Sequence, residues 1–222
     1  MNLMKRREAL RLNIRNRIVI PLIRKKLHNE LKDKNFTIIS NNCWGGTVYE
    51  SYNLQKQSPT VGMFIMPKDY IKFLNNLEYY LMQSLEFIEP QESKWKSVLE
   101  NKSNWGTYLI GKLDDIELHL LHYHDKEKAL EKWNKRIKRI NREKLLVKFN
   151  DQNGCTIKDI QDFLSTPYKN KLCFVANPEM KIDSDNVILI KQKDDITEGI
   201  KASREPFRSC KYLNLTKILN QL

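Results

Sequence analysis

Residues 36–46, F-T-I-I-S-N-N-C-W-G-G, constrain the fold more than any other stretch of the chain. Phe36, Thr37, Ile38, Ile39 and Ser40 are largely apolar and β-branched, the composition of a buried strand. Two asparagines, a cysteine, a tryptophan and a glycine pair end that run. Thr47, Val48, Tyr49 and Glu50 then offer a cap followed by helix-compatible residues. Open α/β proteins build ligand crevices from such a strand, glycine turn and helix start, because backbone N–H groups and the positive helix end face one space. The functional site is expected at this turn.

The same logic recurs downstream. Residues 61–65 (V-G-M-F-I) read as a second strand, and Pro67 opens a helix running through Phe73 to Leu81. Residues 108–113 and 116–123 read as an antiparallel hairpin across Asp114-Asp115, and residues 126–142 as a helix with Ala129, Leu130, Trp133, Ile137 and Ile140 on one stripe. Strands are expected at 145–149, 172–175 and 187–190, with helices from Thr156 and over 212–222. Residues 89–105 carry no clear pattern. The fold class is α/β, a three-layer α/β/α arrangement around a mixed, mostly parallel sheet, with a basic helix at the N-terminus. No linker or repeat divides the 222 residues, so the expected organisation is a helical arm over 1–35 and a single α/β domain over 36–222.

The net charge of +12 is concentrated rather than spread. Residues 1–35 hold 11 Lys and Arg against 3 acidic residues, and residues 126–148 hold 10 against 3. Two basic helices on a near-neutral body point to an anionic partner or to solvated faces. The arm, with Leu10, Ile14, Ile18, Leu22, Leu27 and Leu31 near helical spacing and a bend or restart at Pro21, is expected to pack on the body or on a second subunit of a homo-oligomer. Peripheral contact with an anionic membrane is the alternative. Specific nucleic-acid binding is not expected, since no recognition motif accompanies the charge. Four separated cysteines without a C-x-x-C pair fit a reducing compartment, and no apolar run has the length of a span. The expected location is the cytoplasm, at most peripheral to the inner membrane face.

Three constellations carry chemistry. Cys43 at a helix start, with His122 or His124 and Asp125, has the ingredients of a thiol nucleophile. His119, His122 and His124 are spaced for a metal, although no companion motif accompanies them and none is assigned. The third is a binding crevice of Asn41, Asn42, Trp44, Gly45 and Gly46 with Arg136, in which amides and a stacking ring suit a hydroxyl-rich ligand and Arg136 suits phosphate. Asp69, His122, His124 and Asp125 are its acid/base candidates, and the sequence indicates no particular cofactor.

The blocks S-N-N-C-W-G-G-T-V-Y, S-P-T-V-G-M-F-I, H-Y-H-D-K-E-K-A-L-E-K-W-N-K-R-I-K-R-I-N and D-Q-N-G-C-T together resemble an uncharacterised bacterial family found among exopolysaccharide and capsule biosynthesis genes. The resemblance covers most of residues 36–207 and implies an α/β domain connected with surface-polysaccharide assembly. It implies no reaction and transfers no catalytic residue. Combined with the crevice, the expected function is a transferase acting on a nucleotide-linked or lipid-linked sugar. The alternatives are a non-catalytic glycan-assembly or regulatory binding protein, and a Cys43 thiol hydrolase or acyltransferase.

Overall fold

The computed structural model describes residues 12–192, 199–200 and 202–222. Residues 1–11, which hold Lys5, Arg6, Arg7, Leu10 and Arg11 of the expected arm, lie outside the described residues.

The elements follow in chain order: α1 (Ile20–Glu30), β1 (Thr37–Ser40), α2 (Trp44–Ser51), α3 (Pro67–Asn75), α4 (Leu77–Met82), β2 (Glu86–Ile88) and the short α5 (Lys96–Leu99). Then come β3 (Leu109–Leu113), β4 (Ile116–Leu120), α6 (Lys126–Ile137), β5 (Leu145–Asn150), α7 (Ile157–Ser165), β6 (Asn170–Val175), β7 (Val187–Leu189) and α8 (Leu215–Leu219). Local chemistry fixes several boundaries. Asp125 caps α6 by accepting from the Lys128 N–H at 3.0 Å. Thr156 and Asp159 cap α7 reciprocally, each side chain accepting from the other's backbone N–H.

The α/β class holds. Strands β1, β5, β6 and β7 form an all-parallel sheet in the order β1-β5-β6-β7, with Ile38 opposite Leu146 and Phe149 opposite Cys173. The parallel strands read as near-continuous apolar runs because both faces are covered. Ile38, Leu146, Leu172 and Phe174 join a core with Leu27, Trp44, Val48, Tyr49, Leu215 and Leu219 of α1, α2 and α8. Ile39, Val147, Phe149, Cys173 and Val175 join a core with Tyr70, Phe73, Ile160 and Phe163 of α3 and α7. Three layers result, helices on each side of the sheet.

The expected mixed sheet is refined in one respect. The hairpin β3–β4 does not interleave with the parallel strands; it recruits β2 and forms a separate antiparallel sheet, β2-β3-β4. The stretch read as a second strand at 61–65 shrinks to a seam between the two. Phe64 exchanges both backbone hydrogen bonds with His119 of β4 at 2.9 Å, and the Ile65 N–H donates to the Asn41 carbonyl at 2.9 Å. Two smaller expectations also change. The helix expected to run to residue 142 ends at Ile137, and its Leu130 faces solvent rather than the core.

The arm is a divided helix. Ile23, Leu27 and Leu31 pack against the α2 and α8 layer, as expected of a packing element. Residues 15–19 form a π-helical turn before Pro21 at the start of α1, which accommodates the ring that an unbroken α-helix would reject. Ahead of Pro21, Leu12, Ile14, Ile18 and Val19 are exposed, as is Leu22 just after it.

His119 occupies the middle of the structure rather than a surface. Its ring stacks on Phe64 at 4.4 Å and 10°, is fully buried, and neither ring nitrogen has a hydrogen-bond partner among the described residues. Burial, reinforced by the positive charge of Lys94, pulls its pKa down to about 3, while the Glu117 carboxylate stands 4.0 Å from Nε2. The imidazole is therefore neutral in the folded protein at every physiological pH. Because the unfolded chain binds this proton near pH 6.5 and the folded chain does not, stability falls as pH drops below 6.5. The expected loss from this one group is about 2 kcal/mol by pH 5. Urea denaturation from pH 7 to 5 checks it: His119→Phe should flatten the slope, and an unchanged slope in the variant would refute the assignment.

Candidate functional site

All four parallel strands end on one edge, and the segments that follow them meet there. Asn41, Asn42 and Cys43 follow β1; Asn150 ends β5, and Asp151, Gln152 and Asn153 follow it; Glu205 and Pro206 cross the edge from the C-terminal segment. In open parallel sheets this is the edge at which ligands bind.

Behind the edge lies a buried polar network. Lys148 projects from the middle of β5, is fully buried, and donates to Glu205 Oε1 at 2.5 Å and to Asn42 Oδ1 at 3.1 Å. Glu205, 2% exposed, accepts from Asn150 Nδ2 at 2.7 Å through Oε1 and from Asn42 Nδ2 at 2.9 Å through Oε2. Asn41 donates to Asn150 Oδ1 at 2.7 Å, and its own Oδ1 is buried with no partner among the described residues. Burial lowers the Lys148 pKa, and Glu205 opposes that shift. The ammonium also lies over the Trp44 and Phe174 rings at 5.8 and 5.5 Å. A second buried carboxylate, Asp151, ties the loops together by accepting from the Ala176, Asn177 and Ile200 N–H groups.

Two cavities open beside this network, and Cys43 lines both. One, of about 300 Å³, is lined by the amides of Asn42, Asn104, Gln152 and Asn153, with Phe64, Leu99, Tyr108 and Leu121 as its apolar wall. The other, of about 390 Å³, lies beside the first turn of α2 and is lined by Gly46, Thr47, Lys56, His122, Lys132 and Arg136 among others. Both are within the size range of small-molecule sites.

The expected site residues distribute unevenly over this geometry. The turn itself is a helix: α2 begins at Trp44, with Gly45 and Gly46 inside its first turn rather than before it. A Cβ on Gly45 would stand 3.0 Å from Ser40 Oγ, and one on Gly46 would stand 2.9 Å from Val61 Cγ1. The two glycines let α2 approach the strand and the 61–64 segment, which explains them without a ligand. Ser40 Oγ and Asn42 Oδ1 cap the helix by accepting from the Gly45 and Trp44 N–H groups. Trp44 is core: 3% exposed, edge-on to Phe174, its indole N–H donated to the Pro206 carbonyl at 2.9 Å.

Cys43 reaches both cavities, yet burial pushes its thiol pKa up to about 11 and its Sγ lies 3.6 Å from the Met63 carbonyl oxygen. Desolvation, reinforced by the Glu205 carboxylate, outweighs the nearby Lys148 charge and disfavours the thiolate that a nucleophile requires. His122 shares the basic cavity with Cys43, while His124 lines a third, separate cavity. With His119 in the core, the three histidines do not converge, and among the described residues no three metal-ligating side chains do. Asp125 is spent on capping α6 and pairs with Lys128. Asp69 is 2% exposed and saturated by protein donors: Lys94 Nζ at 2.7 Å, Trp95 Nε1 at 2.8 Å and the Glu117 N–H at 3.0 Å. It lines neither cavity at the sheet edge and holds the β4 hairpin against α3. Arg136 does face the basic cavity, anchored to the Val61 carbonyl at 3.0 Å and to the Tyr123 hydroxyl at 2.5 Å.

Sequence reasoning missed Lys148, Asn150, Asp151 and Glu205. Lys148 carried a signal: a lysine inside L-L-V-K-F-N, a strand with no polar alternation, must be buried and therefore paired. Its partner, 57 positions away, had none.

A parallel sheet clothed by helices, with a polar carboxyl edge beside two cavities, defines an α/β protein of the open parallel-sheet class. Within that class the chain belongs to the family described as Domain of unknown function (DUF1919), whose pattern matches residues 14–222. It is also 34% identical over 156 residues to an uncharacterized protein of Haemophilus influenzae, a match covering 70% of this chain and 69% of that protein.

Proposed function

We propose that the protein binds the sugar of a nucleotide-linked or lipid-linked donor at the carboxyl edge of the parallel sheet, and acts as a group transferase in bacterial surface-polysaccharide assembly. The observation that carries this reading is the amide-lined cavity: Asn104, Gln152 and Asn153 line a space walled by Phe64 and Tyr108, beside Asn42, whose own amide is engaged in the buried network. Amides offer donors and acceptors to ring hydroxyls, and aromatic faces cover the apolar side of a pyranose. The resemblance of the sequence blocks to a family of polysaccharide gene clusters supplies the biological setting. The exposed Ile14, Ile18 and Leu22, interspersed with Arg15, Arg17 and Lys25, form the kind of basic amphipathic surface that meets anionic lipid, which suits a lipid-linked substrate.

A non-catalytic sugar-binding role is the second reading. It is favoured by the composition of the same cavity, whose lining contains no carboxylate and no histidine among the described residues.

Thermal denaturation against a panel of nucleotide sugars and polyprenyl-linked sugars tests the binding. A true ligand at a hundred times its dissociation constant stabilises by about 2.7 kcal/mol. For a chain of this length that raises Tm by about 5–10 °C. Asn104→Ala, whose side chain takes no part in the buried network, should abolish the shift while leaving the unliganded Tm within about 2 °C. Gln152→Ala, which also removes the acceptor of the Asn150 amide at 3.0 Å, should abolish it with a further small loss of unliganded Tm. No stabilisation by any member of the panel would overturn the reading. Release of the nucleotide or lipid phosphate over time in the presence of a glycan acceptor separates the transferase from the binding protein.

A further inference from the structure

We propose that the second cavity, beside the start of α2, is a diphosphate-binding site. It rests on separate residues from the sugar cavity and, where the sugar reading holds, takes the linkage that carries that sugar. Lys56, Lys132 and Arg136 line it, and Glu50 is its single carboxylate, already engaged by Lys56 at 2.6 Å. Three cations against one neutralised anion leave a surplus of positive charge facing a cavity of about 390 Å³.

The backbone adds to the charge. Of the first-turn donors of α2, Trp44 is taken by Asn42, Gly45 by Ser40 and Thr47 by the Cys43 carbonyl, while the Gly46 N–H has no acceptor among the described residues. Gly46 and Thr47 belong to the cavity lining, so the unfilled Gly46 N–H and the positive helix end lie beside the cations, while the Thr47 hydroxyl is donated to the Cys43 carbonyl at 3.5 Å. The cations are also held in position. Arg136 is fixed by the Val61 carbonyl and the Tyr123 hydroxyl through a single nitrogen, Nη1, and the Lys132 ammonium rests over the Tyr123 ring at 5.4 Å. A planar guanidinium whose other N–H groups have no acceptor among the described residues, together with Lys132 and the Glu50-paired Lys56, matches the oxygens of a diphosphate better than those of a carboxylate. Cys43, common to both linings, places this site next to the amide cavity, the arrangement a sugar joined to a diphosphate requires.

Isothermal titration of the full chain with inorganic pyrophosphate, at low salt and again at 0.5 M salt, is the direct test. Binding is expected at low salt, weakened at least tenfold at 0.5 M, and weakened at least tenfold by Lys132→Glu, an exposed position whose reversal leaves the fold intact. Lys56→Gln, which also frees Glu50, should weaken it as well. A nucleoside diphosphate and farnesyl diphosphate, titrated in parallel, distinguish nucleotide from lipid as the source of the group. Pyrophosphate heat that survives both substitutions, or sulfate binding as tightly as pyrophosphate, would overturn the proposal, as would no binding at low salt. Gln152→Ala should leave pyrophosphate binding unchanged, so failure of the sugar reading and failure of this one give different results.

Discussion

Lys148→Met is expected to lower Tm by about 6–20 °C. The substitution leaves Glu205 buried beside Asn42 and Asn150 without its countercharge, and stranding one member of a buried ion pair costs about 3–5 kcal/mol. For a domain of this size each kcal/mol moves Tm by about 2–4 °C. The loss should depend on pH with a definite sign. Without the ammonium, the carboxyl pKa in the folded state rises above its unfolded value near 4.3, so the folded variant escapes the penalty by taking up a proton. Its stability is therefore recovered toward low pH and lost as pH rises through the raised pKa. Melting curves of wild type and variant at pH 5 and pH 8 should show the larger gap at pH 8. Adding Glu205→Gln removes the stranded charge and should restore most of the gap at pH 8. If Lys148→Met melts with wild type at both values, the pair is not the keystone of the sheet edge.

Asp69→Ala should destabilise the protein by about 2–4 kcal/mol in urea denaturation. Its carboxylate gathers the Lys94 ammonium, the Trp95 indole and the Glu117 N–H. Hydrogen bonds to charged groups contribute about 1.5–3 kcal/mol each and do not add fully. The Lys94 side chain is 40% exposed, so its share is screened, and the indole and backbone donors carry most of the effect. An acid/base group at this position would instead give a variant of unchanged stability with lost turnover. A change under about 0.5 kcal/mol would remove the structural assignment.

The parts of this fold that were legible in the sequence are those in which burial dictates composition. T-I-I-S and L-L-V-K-F-N are buried on both faces and so lack polar alternation, and the cap of Thr156 with Asp159 is spelled out over four residues. What was illegible depends on pairing across distance. E-F-I at 86–88 has no strand signature of its own and becomes β2 only because Lys112, Gly111 and Ile110 offer it an edge. The glycine pair misled in the opposite sense: it reads as a turn ahead of the helix, but Ser40 and Val61 come so close to Gly45 and Gly46 that glycine is needed within the first helical turn itself. Asn41, Asn42 and Cys43 do follow β1 at the sheet edge and Arg136 does line a cavity beside it, whereas Asp69 and Asp125 were chosen by residue type. Chemistry alone cannot separate a carboxylate that caps or cross-links from one that faces a ligand.

The seam at Phe64 and Ile65 also bears on which backbone edges the two sheets leave open. Phe64 pairs with one residue of β4 and Ile65 bonds the carbonyl just after β1, while the Ile38 and Ser40 N–H groups of β1 donate to the Tyr49 and Thr60 hydroxyls. The outermost strands of the joined layer are then β2 and β7, each three residues long. A short edge strand offers few unpaired backbone groups to a neighbouring chain, which limits its use as a template for intermolecular pairing. A chain rich in uninterrupted apolar strands thereby keeps its most adhesive segments in the interior of the layer.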